Sequence, residues 1–396
     1  MRKSLTYKVL AAVMALSAAN WAVPADVLAG VDTDGNYIVT DDGEIVIGDS
    51  TNPYNNVYGN GHSFTINGGT IDGDVFGVGN KDYDKDASGG NVTINGNAEV
   101  TGYVYGGSSD YSNTYYNTVN IRDGSVEGYV FGGWSTSGEA YNNTVNISDG
   151  TVTGYVYGGC SNSGSLLISG EAYYNTVNIS GGSVEGYVFG GYSDGGNAYD
   201  NEIIISGSAD IENANLYGSN SSNNTGNTLT IDGWSDSTQS VKNFNDIAFK
   251  NINWNEDEPV LRITAGNADD LKNTTIDTIN IAGGSNINVG DKMNLIESEN
   301  GRDLGLTEDN VTDTFTAGVA REGLGSTSVN GNVVTFNIDS IKLSSQAVSA
   351  AQTRAASAAF VNQGTDLISD SLDTISRDDN SVSYTHLRAH ETTLHL

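Results

Sequence analysis

Cysteine, proline, histidine and positive charge are all scarce in this chain, and each shortage closes off a class of protein. A lone cysteine, Cys160, forbids an intramolecular disulfide framework. With no basic neighbour in sequence it offers no activated thiol, and it reads as a small half-buried residue on a loop. Three prolines beside fifty glycines suit a chain that turns every few residues. The glycines are too scattered for collagen, and the Ile/Val/Tyr runs are too regular for disorder. Seventeen Lys and Arg oppose forty-nine Asp and Glu, for a net charge of −32. Between Asp86 and Val241 the only basic residue is Arg122. Phosphate binding needs clustered cations, so nucleic acid is excluded as a partner. An acidic, strand-rich surface instead stays soluble and resists edge-to-edge sticking.

Catalytic constellations are equally thin. His62 is the only histidine in the body of the chain, and Gly48-Asp49-Ser50-Thr51 is a mere fragment of a serine-nucleophile turn. A polysaccharide lyase would need Arg or Lys beside its carboxylates, and the repeat region offers Arg122 alone. Carboxylates are plentiful enough for a glycosidase pair, yet no pair stands out. Asp32–Asn36 and the alternating carboxylates of Lys81–Asp86 lack the later Glu and the spacing of an EF-hand loop. They read as solvated acidic turns. No catalytic residue, metal site or cofactor is expected.

What the chain does have is a repeat. Residues 117–133, NTVNIRDGSVEGYVFGG, return as NTVNISDGTVTGYVYGG at 143–159 and NTVNISGGSVEGYVFGG at 175–191. Looser copies flank them at 64–79, 92–107, 202–218 and 228–233. The isoleucine of each first strand (Ile66, Ile94, Ile121, Ile147, Ile179, Ile205, Ile231) recurs at spacings of 28, 27, 26, 32, 26 and 26 residues. Strand-type units at this period predict a parallel β-helix, with coils of about 26–32 residues and one repeat per coil.

Within a unit, Val119 and Ile121 share one face of a strand and an Asp/Gly/Ser turn follows. A second strand is predicted from Val126 to Phe131, stopping at Gly132-Gly133. Its core position is always aliphatic: Val75, Val104, Val130, Val156, Val188 and Leu216. The neighbouring positions form outward aromatic columns. One holds Tyr103, Tyr129, Tyr155 and Tyr187; the other holds Phe76, Tyr105, Phe131, Tyr157, Phe189 and Tyr217. The first column is the candidate ligand-binding surface, a flat stacking face for sugar rings or a partner protein. Register stacking between coils would produce the same columns without any ligand.

In chain order, residues 1–29 read as a secretory signal peptide, a basic MRKSLTYK followed by the short apolar run VLAAVMALSAA. Short strands at Tyr37–Thr40 and Glu44–Ile47 place an N-terminal cap at 30–63, and the repeats fill 64–233. Between the units, 107–116, 133–142 and 159–174 read as variable loops, the last carrying an insertion with Leu166, Leu167 and Ile168. Residues 234–343 lose the period but keep strand character, as last coils and a cap. From 344 to 380 the chain turns alanine-rich, with Val348, Ala351, Ala355, Ala359 and Ile368 at helical spacing. The tail 381–396, with His386, His390 and His395, resembles a translated sequencing-adapter junction and is set aside.

Arg354, the small-residue run after it and Ala359-Phe360-Val361-Asn362-Gln363-Gly364-Thr365-Asp366-Leu367-Ile368 resemble the linker that enters the translocator barrel of autotransporters, the type Va secretion family. The resemblance covers the layout of residues 1–379. It implies a right-handed parallel β-helical passenger, a linker helix and an outer-membrane barrel beyond, which the tail 381–396 does not supply. It also implies display on the cell surface, as an adhesin or self-association (biofilm) protein whose partners are host or bacterial surface glycans and proteins, or itself. Two readings from other classes stand beside it: a carbohydrate-active β-helix enzyme, and a secreted or surface-layer structural protein without a barrel.

Overall fold

The computed structural model describes residues 30–31, 35–45, 53–80, 85–162, 170–220, 225–256, 258–268 and 270–377. The expected signal peptide, the Gly48–Thr51 fragment, the Leu166–Ile168 insertion and the histidine tail lie outside these residues, as do most of the two acidic stretches. The fold is a parallel β-helix followed by one helix.

A representative coil has four strands, Thr118–Ile121, Ser125–Val126, Val130–Ser135 and Ala140–Tyr141. Each pairs in parallel with its counterpart one coil on, Val119 with Val145, Val126 with Val152, Val130 with Val156 and Ala140 with Ala172. Among the described residues this gives four sheets, of 16, 5, 10 and 5 strands. Polar–apolar alternation puts Val119, Ile121, Val126, Val130 and Ala140 inside, all fully buried, as are their equivalents in neighbouring coils. Each buried Val or Ile contributes about 1.5–3 kcal/mol, but only while a neighbouring coil covers it. The Asp-Gly turn after the first strand takes the expected positive φ, +88° at Gly124 and +84° at Gly150. The Asp123 and Asp149 carboxylates each accept the following glycine N–H.

The strand expected to stop at the glycine pair does not stop there. It begins at Val130 and runs through Gly132-Gly133 to Ser135, while Ser125–Val126 forms a separate strand in another sheet. The glycines are needed within the strand for space. A Cβ on Gly133 would lie 2.4 Å from Asn143 Nδ2, and one on Gly132 would lie 2.3 Å from the Gly158 carbonyl oxygen. The same contact recurs between Gly159 and Asn175 and between Gly191 and Asn201.

These asparagines build a buried ladder. Asn143 Nδ2 donates to the Thr114 carbonyl (3.0 Å) and to Asn175 Oδ1 (3.1 Å). Its own Oδ1 accepts from the Asn117 backbone N–H (3.2 Å) and Asn117 Nδ2 (3.0 Å). Asn175, Asn201 and Asn227 continue the pattern. A buried amide is tolerated because every polar atom is partnered.

The first strands of the chain pair onto the same sheets, Tyr37–Ile38 against Val57–Tyr58 and Gly43–Ile45 against Phe64–Ile66. Beyond residue 233 the 16-stranded sheet continues through Asp246–Ile252 and Thr275–Ile281. The paired strands Arg321–Asn330 and Val333–Leu343 complete it, the latter antiparallel to Lys292–Ser298. The helix α1, Ser345–Arg377, belongs to a second compact unit. Ser344 caps it, Oγ accepting the Ala347 N–H at 3.1 Å. Its apolar residues Phe360, Leu367 and Ile368 are exposed. Among the described residues no helix is long and apolar enough to cross a membrane.

Candidate functional site

The outer face of the third sheet carries the two aromatic columns. Val130 points inward, so Tyr129 and Phe131 on either side of it point out, and parallel pairing without slippage brings like residues together coil after coil. In the column of Tyr58, Phe76, Tyr105, Phe131, Tyr157, Phe189 and Tyr217, successive ring centroids lie 4.9–5.2 Å apart. Phe131 is buried, with 5% exposure, and the other six rings are half-buried. Burial pushes the Tyr105 and Tyr157 phenols well above the ordinary tyrosine value.

The four tyrosines singled out from sequence do come together. Tyr103 stacks on Tyr129 (5.0 Å, 14°) and Tyr129 on Tyr155 (4.7 Å, 3°). Tyr187 instead turns edge-on to Tyr155 (4.8 Å, 86°). Its partner on the far side is Asn215, which offers no ring to stack on. Tyr103 is 39% exposed and the other three are half-buried. Stacking presses the facing sides of Tyr103, Tyr129 and Tyr155 together, so this part of the column presents mainly edges and hydroxyls to the outside, while Tyr187 stands across it. That differs from the flat face expected of it.

Cys160 is fully enclosed, and it sits in a strand, not a loop, in register between Trp134 and Tyr192. Burial pushes its thiol far above the usual value, which leaves it unreactive.

A third aromatic column escaped sequence reading. Stretches taken for loops contain the fourth strands, and there Tyr115, Tyr141, Tyr173 and Tyr199 stack at 5.0, 5.0 and 5.1 Å. The Tyr173 hydroxyl donates to Glu139 at 2.9 Å and the Tyr199 hydroxyl to Glu171 at 3.1 Å. Burial first, then the hydrogen bond to Glu171, pushes the Tyr199 phenol up to about 12. The signal was present in the Glu-Ala-Tyr of 139–141 and 171–173, but a two-residue strand is too short for a periodicity to register.

His62 Nδ1 lies 3.2 Å from Asp42 Oδ1, at the surface. Among the described residues no group of three or more His, Cys, Asp or Glu is placed to hold a metal ion. No family model matches the chain, and neither curated proteins nor solved structures give a match.

Proposed function

We propose that this chain is the β-helical passenger of an autotransporter, displayed on the outer surface of a Gram-negative cell, and that it acts there as an adhesin through self-association. The observation that carries the adhesive reading is the pair of aromatic columns on the third sheet. They hold ring edges and hydroxyls rigidly at the coil repeat, a surface that another copy with the same repeat can match. Export by the 1–29 segment and passage through a barrel beyond the linker belong to the same reading. A nearly cysteine-free solenoid followed by the helix Ser345–Arg377 supports it, since a disulfide-closed loop would jam in a narrow pore. The charge of −32 makes association salt-dependent, because repulsion is screened over about 10 Å at 0.1 M salt.

Two measurements test this. Sequencing the source DNA onward from the codon for Asn380 should recover alternating strands of ~10 residues, the pattern of a membrane barrel; a reading frame that yields no such strands removes the autotransporter reading. Cells displaying the protein should sediment faster as salt rises. Tyr103→Ser, Tyr129→Ser and Tyr155→Ser combined should abolish that clumping with the far-UV circular dichroism unchanged. Clumping that survives the triple change refutes adhesion by this face.

A further inference from the structure

The turn leading from the fourth strand into the next coil holds one residue in the left-handed region in every copy. These residues are Gly89 (φ +76°) and then Tyr116 (+55°), Asn142 (+53°), Tyr174 (+54°) and Asp200 (+53°). Asn and Asp enter this region readily because their short side chains bond locally, whereas a bulky residue there is a true outlier. The turn does not need tyrosine, since Asn142 and Asp200 make it equally well. Nor does the core repay the strain: Tyr116 is 65% and Tyr174 55% exposed. Strain of this kind, kept at an exposed aromatic, points to a use for the ring.

The orientation of the rings says what use. Tyr116 stands at 82° to Tyr115, and Tyr174 at 79° to Tyr173. The ladder rings lie flat against one another along the coil axis, so rings perpendicular to them turn their faces away from that axis. Both rings are mostly exposed, unlike the faces that Tyr103, Tyr129 and Tyr155 press together. The two platforms are separated by two ladder steps of 5.0 Å each, or roughly 10 Å at the coil spacing.

We infer that the fourth sheet carries a binding site for an extended, uncharged β-1,4-linked polysaccharide running along the coil axis, with Tyr116 and Tyr174 as its stacking platforms. In such a chain alternate sugars present the same face, which matches the tyrosine–asparagine–tyrosine–aspartate order of the turns. The apolar face of a pyranose packs on a phenol ring. Asn142 and Asp200 flank the platforms with groups that hydrogen-bond sugar hydroxyls. Anionic polymers are disfavoured, since Arg122 is the only basic residue between Asp86 and Val241.

This deepens the adhesive reading by naming a ligand class, on a different face from the self-association columns. The test is titration calorimetry on the full chain with cellohexaose and with the N-acetylated chitin hexasaccharide. At least one should bind. Tyr116→Asn and Tyr174→Asn should each weaken binding about tenfold, and the pair should abolish it. Asparagine is the residue of the intervening coil, so the thermal midpoint should hold or rise. Binding by neither sugar overturns the inference, as does unchanged affinity in the folded double variant. Clumping of cells displaying the unsubstituted protein, without added sugar, is read separately: no clumping with sugar binding intact refutes self-association alone, and clumping with no sugar binding refutes the sugar site alone.

Discussion

Asn143→Ala should cost far more than Asn146→Ala, although the two asparagines belong to the same five-residue stretch. Asn143 makes four hydrogen bonds in a buried setting, two as donor and two as acceptor. At roughly 1 kcal/mol net for each bond, its loss removes about 4 kcal/mol. The Thr114 carbonyl and the Asn117 amide are then left buried without that partner. Asn146 also forms a ladder, donating to Asn120 Oδ1 at 2.9 Å and accepting from Asn178 Nδ2 at 2.7 Å. That ladder is half open to solvent, so water replaces both bonds and the loss stays below about 1 kcal/mol. Urea unfolding followed by far-UV circular dichroism reads the contrast. The slope with denaturant must be compared too, because a solenoid with one weakened coil can unfold in sections. Equal midpoint shifts for the two variants would refute the claim that the buried ladder, and not asparagine stacking in general, holds the coils in register.

The face assignments predict a second contrast: Val130→Asp buries an unpaired carboxylate at a fully enclosed position and should destabilise by about 3 kcal/mol or more. Tyr129→Ser should leave the fold intact, and the reverse order in thermal melts would overturn the assignment. Alkaline stability follows from phenols held neutral by the fold, Tyr37 and Tyr199 both being pushed up to about 12 from 10. Their contribution is complete below pH 10 and is lost as the pH climbs towards 12, so the urea midpoint should fall across that window. Glu171→Gln should move Tyr199 ionisation to lower pH, as read by phenolate absorbance; an unmoved titration would remove Glu171 as a cause.

The repeat, the parallel β-helix and the identity of the core columns were legible because each is carried by short-range pattern. Val119 and Ile121 alternate with polar residues, and Val130 stays aliphatic in every copy while Tyr129 is replaced by Asp74 and Asn215 in others. Tyrosines at one repeat position had to form a column once the coils stacked. The alanine-rich segment showed its helix by its spacing, and the helix spans Ser345–Arg377.

Other features depend on residues that meet only across the coil. Gly132-Gly133 reads locally as a strand end, because glycine is a poor strand former. The strand runs through it because Asn143, ten residues on, fills the space that a side chain would need. Asn143 in turn reads as one polar residue among many until its partners Asn117 and Asn175 arrive from adjacent coils. Whether the outward tyrosines offer faces or edges is likewise invisible in sequence, since the ring above or below each one decides it. Local alternation is thus set by neighbours one or two residues away, and the sequence by itself determined it. Buried polar pairing and ring exposure depend on contacts 26 to 32 residues apart, and only the stacked coils decided them.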